Sequence, residues 1–176
     1  MGGQTPTTFA QGFLSGLAHP VIGLDHLVFL LLAGAYTGFI RSQVPLVMFV
    51  AASAAGCLVH VYGVDLPRSE LILAGTLLAT GAAACAALRV STLITSLTLA
   101  ACGLLHGYAY GESIVGSESA ALAAYLLGFG CVQLAISITV SVLASRSAAL
   151  KSGPATAAVR GLGMLTITAG AILFLQ

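Results

Sequence analysis

The chain has 176 residues, 59% of them apolar and 6% charged, with a net charge of +1 and a mean hydropathy of +1.06. So few charges cannot coat a soluble globule, which makes this an all-α integral membrane protein, and a charge so near zero argues against nucleic acid as a partner. The length suffices for one compact transmembrane domain over residues 1–176 and leaves no room for a sizeable soluble one.

Windows of about 19 residues give six spans, placed near residues 20–40, 44–63, 69–88, 92–111, 119–145 and 157–175. Met1 to Thr8 shows neither a basic region nor a following cleavage site, so no signal peptide is expected. Residues 8–18 are apolar but too short to cross about 30 Å of hydrocarbon. They form either an interfacial helix or an extension of the first span broken at Pro20. The fold expected is therefore a six-helix transmembrane bundle with a short or broken N-terminal helix.

The first span opens His19-Pro20-Val21-Ile22-Gly23-Leu24-Asp25-His26, which sets a carboxyl and two imidazoles at hydrocarbon depth. Ionisable groups there are expensive and need a partner, so the default reading is a functional site. On a straight helix His19 and His26 would share a face about 10 Å apart, too far to hold one metal. The Pro20 to Gly23 break must fold His19 inward, or His19 serves the entrance instead. Asp25 either ligates directly or orients its neighbour His26.

The second span carries Cys57 and His60, and the fourth carries Cys102 and His106, at spacings that share helix faces. Small buried cysteine is the commoner role for such residues, and a single membrane histidine commonly hydrogen-bonds between helices. Cys85 and Cys131 also lie in apolar runs, without the loop placement of a disulfide framework. Gly103, Gly107 and Gly111 on the fourth span, Gly12 with Gly16, and Gly34 with Gly38 are small-residue steps that permit close helix packing. Gln133, Ser137 and Ser141 form one polar stripe on the fifth span, read first as interhelical hydrogen bonding and second as pore lining.

With the N-terminus outside, the inner loops carry Arg41, Arg89, Arg146, Lys151 and Arg160, leaving Arg68 outside, a strong positive-inside bias. Asp65, Glu70, Glu112 and Glu118 then fall on the outer side, where they would concentrate cations at an entrance. Counting a rise of about 1.5 Å per residue from the inner ends, His26, His60 and His106 lie about 22, 24 and 21 Å up their spans. Three histidines from three helices thus share one level, with His19 and Glu112 further out. Imidazoles with a carboxylate suit nickel, cobalt, zinc or copper, whereas oxygen-only cages suit calcium or magnesium.

His19, then five residues, then Asp25-His26, with Pro20 and Gly23 between, resembles the first-helix signature of the HupE/UreJ family of nickel and cobalt permeases. The stretch Leu105-His106-Gly107-Tyr108-Ala109-Tyr110-Gly111-Glu112 is similar to that family's second signature, with Tyr110 where the family has a second His. The resemblance implies a permease rather than an enzyme, moving divalent nickel or cobalt inward across a bacterial inner membrane, with both termini outside. It implies no prosthetic group. The metal ion and the lipid bilayer are its partners, with a homo-oligomer or an accessory metal-delivery protein as further candidates. The expected metal residues are His19, Asp25, His26 and His106, with His60, Glu112, Glu118 and Tyr110 as secondary candidates. An intramembrane zinc-dependent hydrolase is the alternative that the ligand types allow, and a b-type haem carrier using His60 and His106 is a third.

Overall fold

In the computed structural model, which describes residues 5–86, 88, 90–149 and 153–175, every regular element among the described residues is helical. The order is α1 (Phe9–Ile22), α2 (Leu24–Ile40), α3 (Val44–Val61), α4 (Ser69–Cys85), α5 (Thr92–Gly111), α6 (Ser119–Ala149) and α7 (Gly153–Phe174), with a 3-10 turn at Glu112–Ile114. Helices α3, α5, α6 and α7 are each long and apolar enough to cross a membrane. The pair α1 and α2 is long and apolar enough to cross only when taken together, and its 78° bend has the form of a broken span or a re-entrant loop; α4, at 17 residues, is a shorter apolar helix in the position of the third predicted span.

The first helix begins well before residue 20. Thr8 caps α1 by accepting from the Gln11 N–H at 3.2 Å, while the Gln11 side chain accepts from the Thr8 N–H at 3.3 Å, a reciprocal capping box. Residues 8–18 thus belong to one helix that runs without interruption up to the junction with α2. The break, however, is at Gly23 and not at Pro20. Pro20 lies inside the last turn of α1, where its missing N–H removes one intrahelical bond and the helix still runs on to Ile22. At Gly23 the backbone is extended, φ −73° and ψ 103°. Its N–H still donates to the His19 carbonyl at 3.2 Å, and its own carbonyl accepts from Leu27 at 2.9 Å, so the junction satisfies much of its own backbone.

Three helix pairs hold the bundle, and small residues make each one. The two halves of the broken span follow α6 in chain order, Gly12 against Ala121, Gly16 against Tyr125, Gly34 against Ser137 and Gly38 against Ser141. Helix α5 runs along α3 in the same direction, with Gly103 against Phe49, Gly107 against Ser53 and Gly111 against His60. A Cβ on Gly107 would collide with the Ser53 carbonyl, so the two backbones touch there. Helix α4 meets α7 in the opposite direction, Gly81 against Gly163 and Leu77 against Gly170. These relative directions are those of six spans that alternate.

The two ends of the bundle follow from hydrogen bonds between loops and helices. At one end the Tyr108 hydroxyl donates to the Val64 carbonyl at 3.0 Å and accepts from the Leu66 N–H at 2.8 Å. There too the Tyr125 hydroxyl donates to the Tyr110 carbonyl at 2.9 Å. At the other end the Tyr36 hydroxyl donates to the Leu88 carbonyl at 2.6 Å, and the Gln43 amide donates to Ser141 at 3.0 Å. Asp65, Glu70, Glu112 and Glu118 therefore sit with Arg68 at the first end, and Arg41, Arg146 and Arg160 at the second. Arg89 and Lys151, also assigned to the basic end, lie outside the described residues, as does Gln176.

Between the ends lies an apolar core of Phe29, Leu30, Ala33, Leu46, Phe49, Leu77, Leu99 and Cys102. Cys57 packs with Tyr110, Ile114, Tyr125 and Phe129 in a second cluster. Both cysteines are thus core residues, as small buried thiols usually are.

Candidate metal site

The break at Gly23 builds the site. In its first turn α2 carries Asp25, whose Oδ2 lies 2.7 Å from His26 Nδ1. The carboxylate touches the Nδ1 edge of His26 without the angle of a hydrogen bond and leaves Nε2 on the other edge of the ring. That Nε2 is buried and has no hydrogen-bond partner. Gly23 leaves room for this contact: a Cβ there would stand 3.0 Å from His26 Nδ1 and 3.2 Å from Asp25 Oδ1, and both side chains would have to give by a few tenths of an ångström.

The bend also brings His19 back over the site. Its ring centre is 6.2 Å from that of His26 and 5.1 Å from that of Tyr110, against about 10 Å between His19 and His26 on an unbroken helix. From α5, His106 enters fully buried, its ring centre 5.1 Å from that of His26. Thr76 on α4 places its hydroxyl oxygen 3.5 Å from His106 Nε2, while His106 Nδ1 has no partner. Tyr110, one turn after His106, is also fully buried, 4.4 Å from His26 between ring centres, with its hydroxyl beside the Gln133 side chain.

His60 stands apart. The count from the inner helix ends put it level with His26 and His106, but α3 packs so that His60 lies against Gly111, with its ring 4.4 Å from that of Tyr108. Gly111 is five residues beyond His106, about 7 Å further along the helix. Counting from helix ends assumes that all helices begin at one depth, and the close packing of α3 on α5 sets the register instead. Glu112 and Glu118 are exposed at the acidic end, Glu112 in the 3-10 turn that follows α5.

Four of the expected residues, His19, Asp25, His26 and His106, with Tyr110 beside them, therefore share one locus. Among the described residues, no group of three His, Cys, Asp or Glu side chains is arranged to hold a metal ion. Two residues not singled out from sequence also belong to the locus. Phe29 lies 4.3 Å from His106 between ring centres and closes it on the basic side, and Thr76 touches it from α4. Phe29 was detectable as the residue three after His26, on the same helix face; nothing in the sequence marks Thr76. Beyond Phe29, toward the basic end, an apolar-walled cavity of about 160 Å³ is lined by Phe29, Tyr36, Thr80, Leu88, Thr95 and Leu99.

The chain is 29% identical over 168 residues to "Protein HupE" of Rhizobium leguminosarum bv. viciae, an overlap that covers 93% of this chain and 85% of that protein. No solved structure matches it. The sequence profile described as HupE / UreJ protein matches residues 3–173, and the chain, an integral membrane protein of helices, belongs to the HupE/UreJ family.

Proposed function

We propose that this protein is a permease that carries divalent nickel or cobalt from the acidic end of the bundle to the basic end through the locus at Gly23. The observation that carries this reading is the pair of buried imidazoles, His26 and His106, with ring centres 5.1 Å apart and unpartnered nitrogens on both. Two imidazoles that share one metal through arms of about 2.0–2.1 Å at a tetrahedral angle have ring centres about 5 Å apart. His19, at 6.2 Å from His26, is near enough to reach the same ion after a small rotation of α1. Nitrogen donors with a single carboxylate favour nickel, cobalt, zinc or copper over calcium or magnesium.

The proposed path follows the charge. Asp65, Glu70, Glu112 and Glu118 draw hydrated cations to the outer end, and the basic end with Arg41, Arg146 and Arg160 faces the cytoplasm of a bacterial inner membrane. Both termini are then outside. The ion exchanges part of its water for imidazole nitrogen at His26 and His106 while Asp25 offsets its charge. Inward release passes Phe29 into the cavity beyond it and requires movement of the broken span or protonation of the imidazoles. A zinc hydrolase would need a free carboxylate to activate water, and Asp25, the carboxylate at the locus, already contacts His26 Nδ1.

Initial nickel and cobalt uptake into proteoliposomes, together with elemental analysis of the purified protein, tests the proposal. His26→Ala and His106→Ala are each expected to abolish uptake at matched protein levels. Wild-type uptake in both variants would remove the site.

A further inference from the structure

Gln133 is the lone amide side chain of α6. Its neighbours in the polar stripe bond as membrane serines do: Ser141 accepts from Thr37 and Gln43 across helices, and the Ser137 hydroxyl donates to the Gln133 carbonyl at 2.7 Å. The Gln133 side chain does not. It is fully buried, and neither its nitrogen nor its oxygen has a partner. It faces the Tyr110 hydroxyl, which is equally buried, and the two groups lie within hydrogen-bonding reach of each other without meeting the geometry of a good bond. Leaving such groups unmade destabilises the fold, and a thioether of similar size would pack there without that penalty.

The two groups border the locus described above, since the Tyr110 ring lies 4.4 Å from His26 and 5.1 Å from His19. That locus has few well-placed donors of its own, because among the described residues no group of three His, Cys, Asp or Glu side chains is arranged to hold a metal ion. An ion held by two imidazoles keeps water on its remaining positions. Metal-bound water is acidified and is a strong hydrogen-bond donor, so it needs acceptors at the wall. The Gln133 amide oxygen and the Tyr110 phenol oxygen are neutral acceptors that add no charge, which allows the ion to leave again.

We propose that Gln133 and Tyr110 form a hydrogen-bonding wall for the water carried on the metal, so that the site takes its cargo as a partly hydrated ion. This rests on the transport reading above. The wall makes Gln133 a specificity-determining residue: ions that readily shed all their water gain less from it than nickel or cobalt.

The test uses the full chain in lipid nanodiscs with cobalt(II) as the probe. Three quantities are read: cobalt affinity, the visible spectrum of the bound ion, and the thermal stability of the metal-free protein. Gln133→Met and, as a smaller change, Tyr110→Phe are expected to bind cobalt on the order of tenfold more weakly, the worth of one charge-assisted hydrogen bond. Both should shift the cobalt spectrum toward the more intense bands of a lower-coordinate ion, with metal-free stability equal to the wild type or higher. Wild-type affinity and spectrum in either variant would overturn the wall, and so would a lowered metal-free stability in both, which would mark the two groups as supports of the fold. Failure of the transport reading looks different: the wild-type protein itself would then give no cobalt spectrum that His26→Ala removes.

Discussion

Replacing Asp25 by Asn tests how the carboxylate acts, because it keeps the side-chain shape and removes the charge. In the structure Asp25 Oδ2 lies 2.7 Å from His26 Nδ1, a contact short enough for a charge-assisted hydrogen bond. Such a bond contributes about 1.5–3 kcal/mol, and each 1.4 kcal/mol is about tenfold in affinity. The expected loss of cobalt affinity is therefore about 10- to 100-fold, the range also seen when the partner of a ligating histidine is changed. An amide can still accept from Nδ1–H, so residual binding is expected, in contrast with its complete loss in His26→Ala. The substitution exchanges one polar side chain for another of the same shape and should leave thermal stability within about 1 kcal/mol. Cobalt titration of the purified protein and initial uptake into proteoliposomes read the two effects. Wild-type affinity in Asp25→Asn, beside a clear loss in His26→Ala, would refute the orienting role and leave His26 to act without it.

Gly23→Ala should impair transport without harming the fold: the new methyl meets the Asp25 and His26 side chains, and alanine favours a continuous helix by about 1 kcal/mol, so uptake is expected to fall about fivefold or more while thermal unfolding is unchanged. Equal uptake would show that the break needs no glycine. For topology, Thr5→Cys should react with an impermeant thiol reagent from outside and Gln43→Cys should not, and reversed labelling would invert the direction of transport. Apparent cobalt affinity should drop as pH is lowered from about 7.5 to 5.5, because proton and metal compete for the same imidazole lone pairs. His106→Gln should flatten that dependence, and a flat wild-type profile would move the cargo off the imidazoles.

The legible part of the fold is the part governed by transfer to lipid. Helix α5 runs over Thr92–Gly111 as read, because its hydropathy is high and Ser91 marks its start by accepting from the Ile94 N–H at 3.3 Å. Helix α1 was harder to assign, since Gly12, Ser15, Gly16 and His19 dilute its apolar signal. What holds it in the membrane is contact of Gly12 and Gly16 with α6, and hydropathy measures transfer to lipid and not fit between helices. The chemistry of the locus was legible for the same reason that it is expensive: Asp25 and the histidines stand out against hydrocarbon. His60 stands out equally and belongs elsewhere, since its position is set by α3 packing on α5. Gln133 was visible as a polar residue, but only the packing around it reveals that its amide has no partner.

The position of the break also has an electrostatic consequence. A helix end carries about half a unit charge on backbone groups that lack intrahelical partners, positive at the N-terminus and negative at the C-terminus. The junction at Gly23 puts one end of each kind in the middle of the span. The positive start of α2 falls on Asp25 in its first turn, and the negative end of α1 falls on His19 in its last turn. The carboxylate is therefore stabilised at a depth where an isolated acid would be costly. An unbroken helix with the same residues would offer neither end, and its two histidines would stand a full two turns apart. Gly23 thus connects backbone geometry to function twice, once by the space it leaves for the Asp25 and His26 side chains and once by the helix ends it creates.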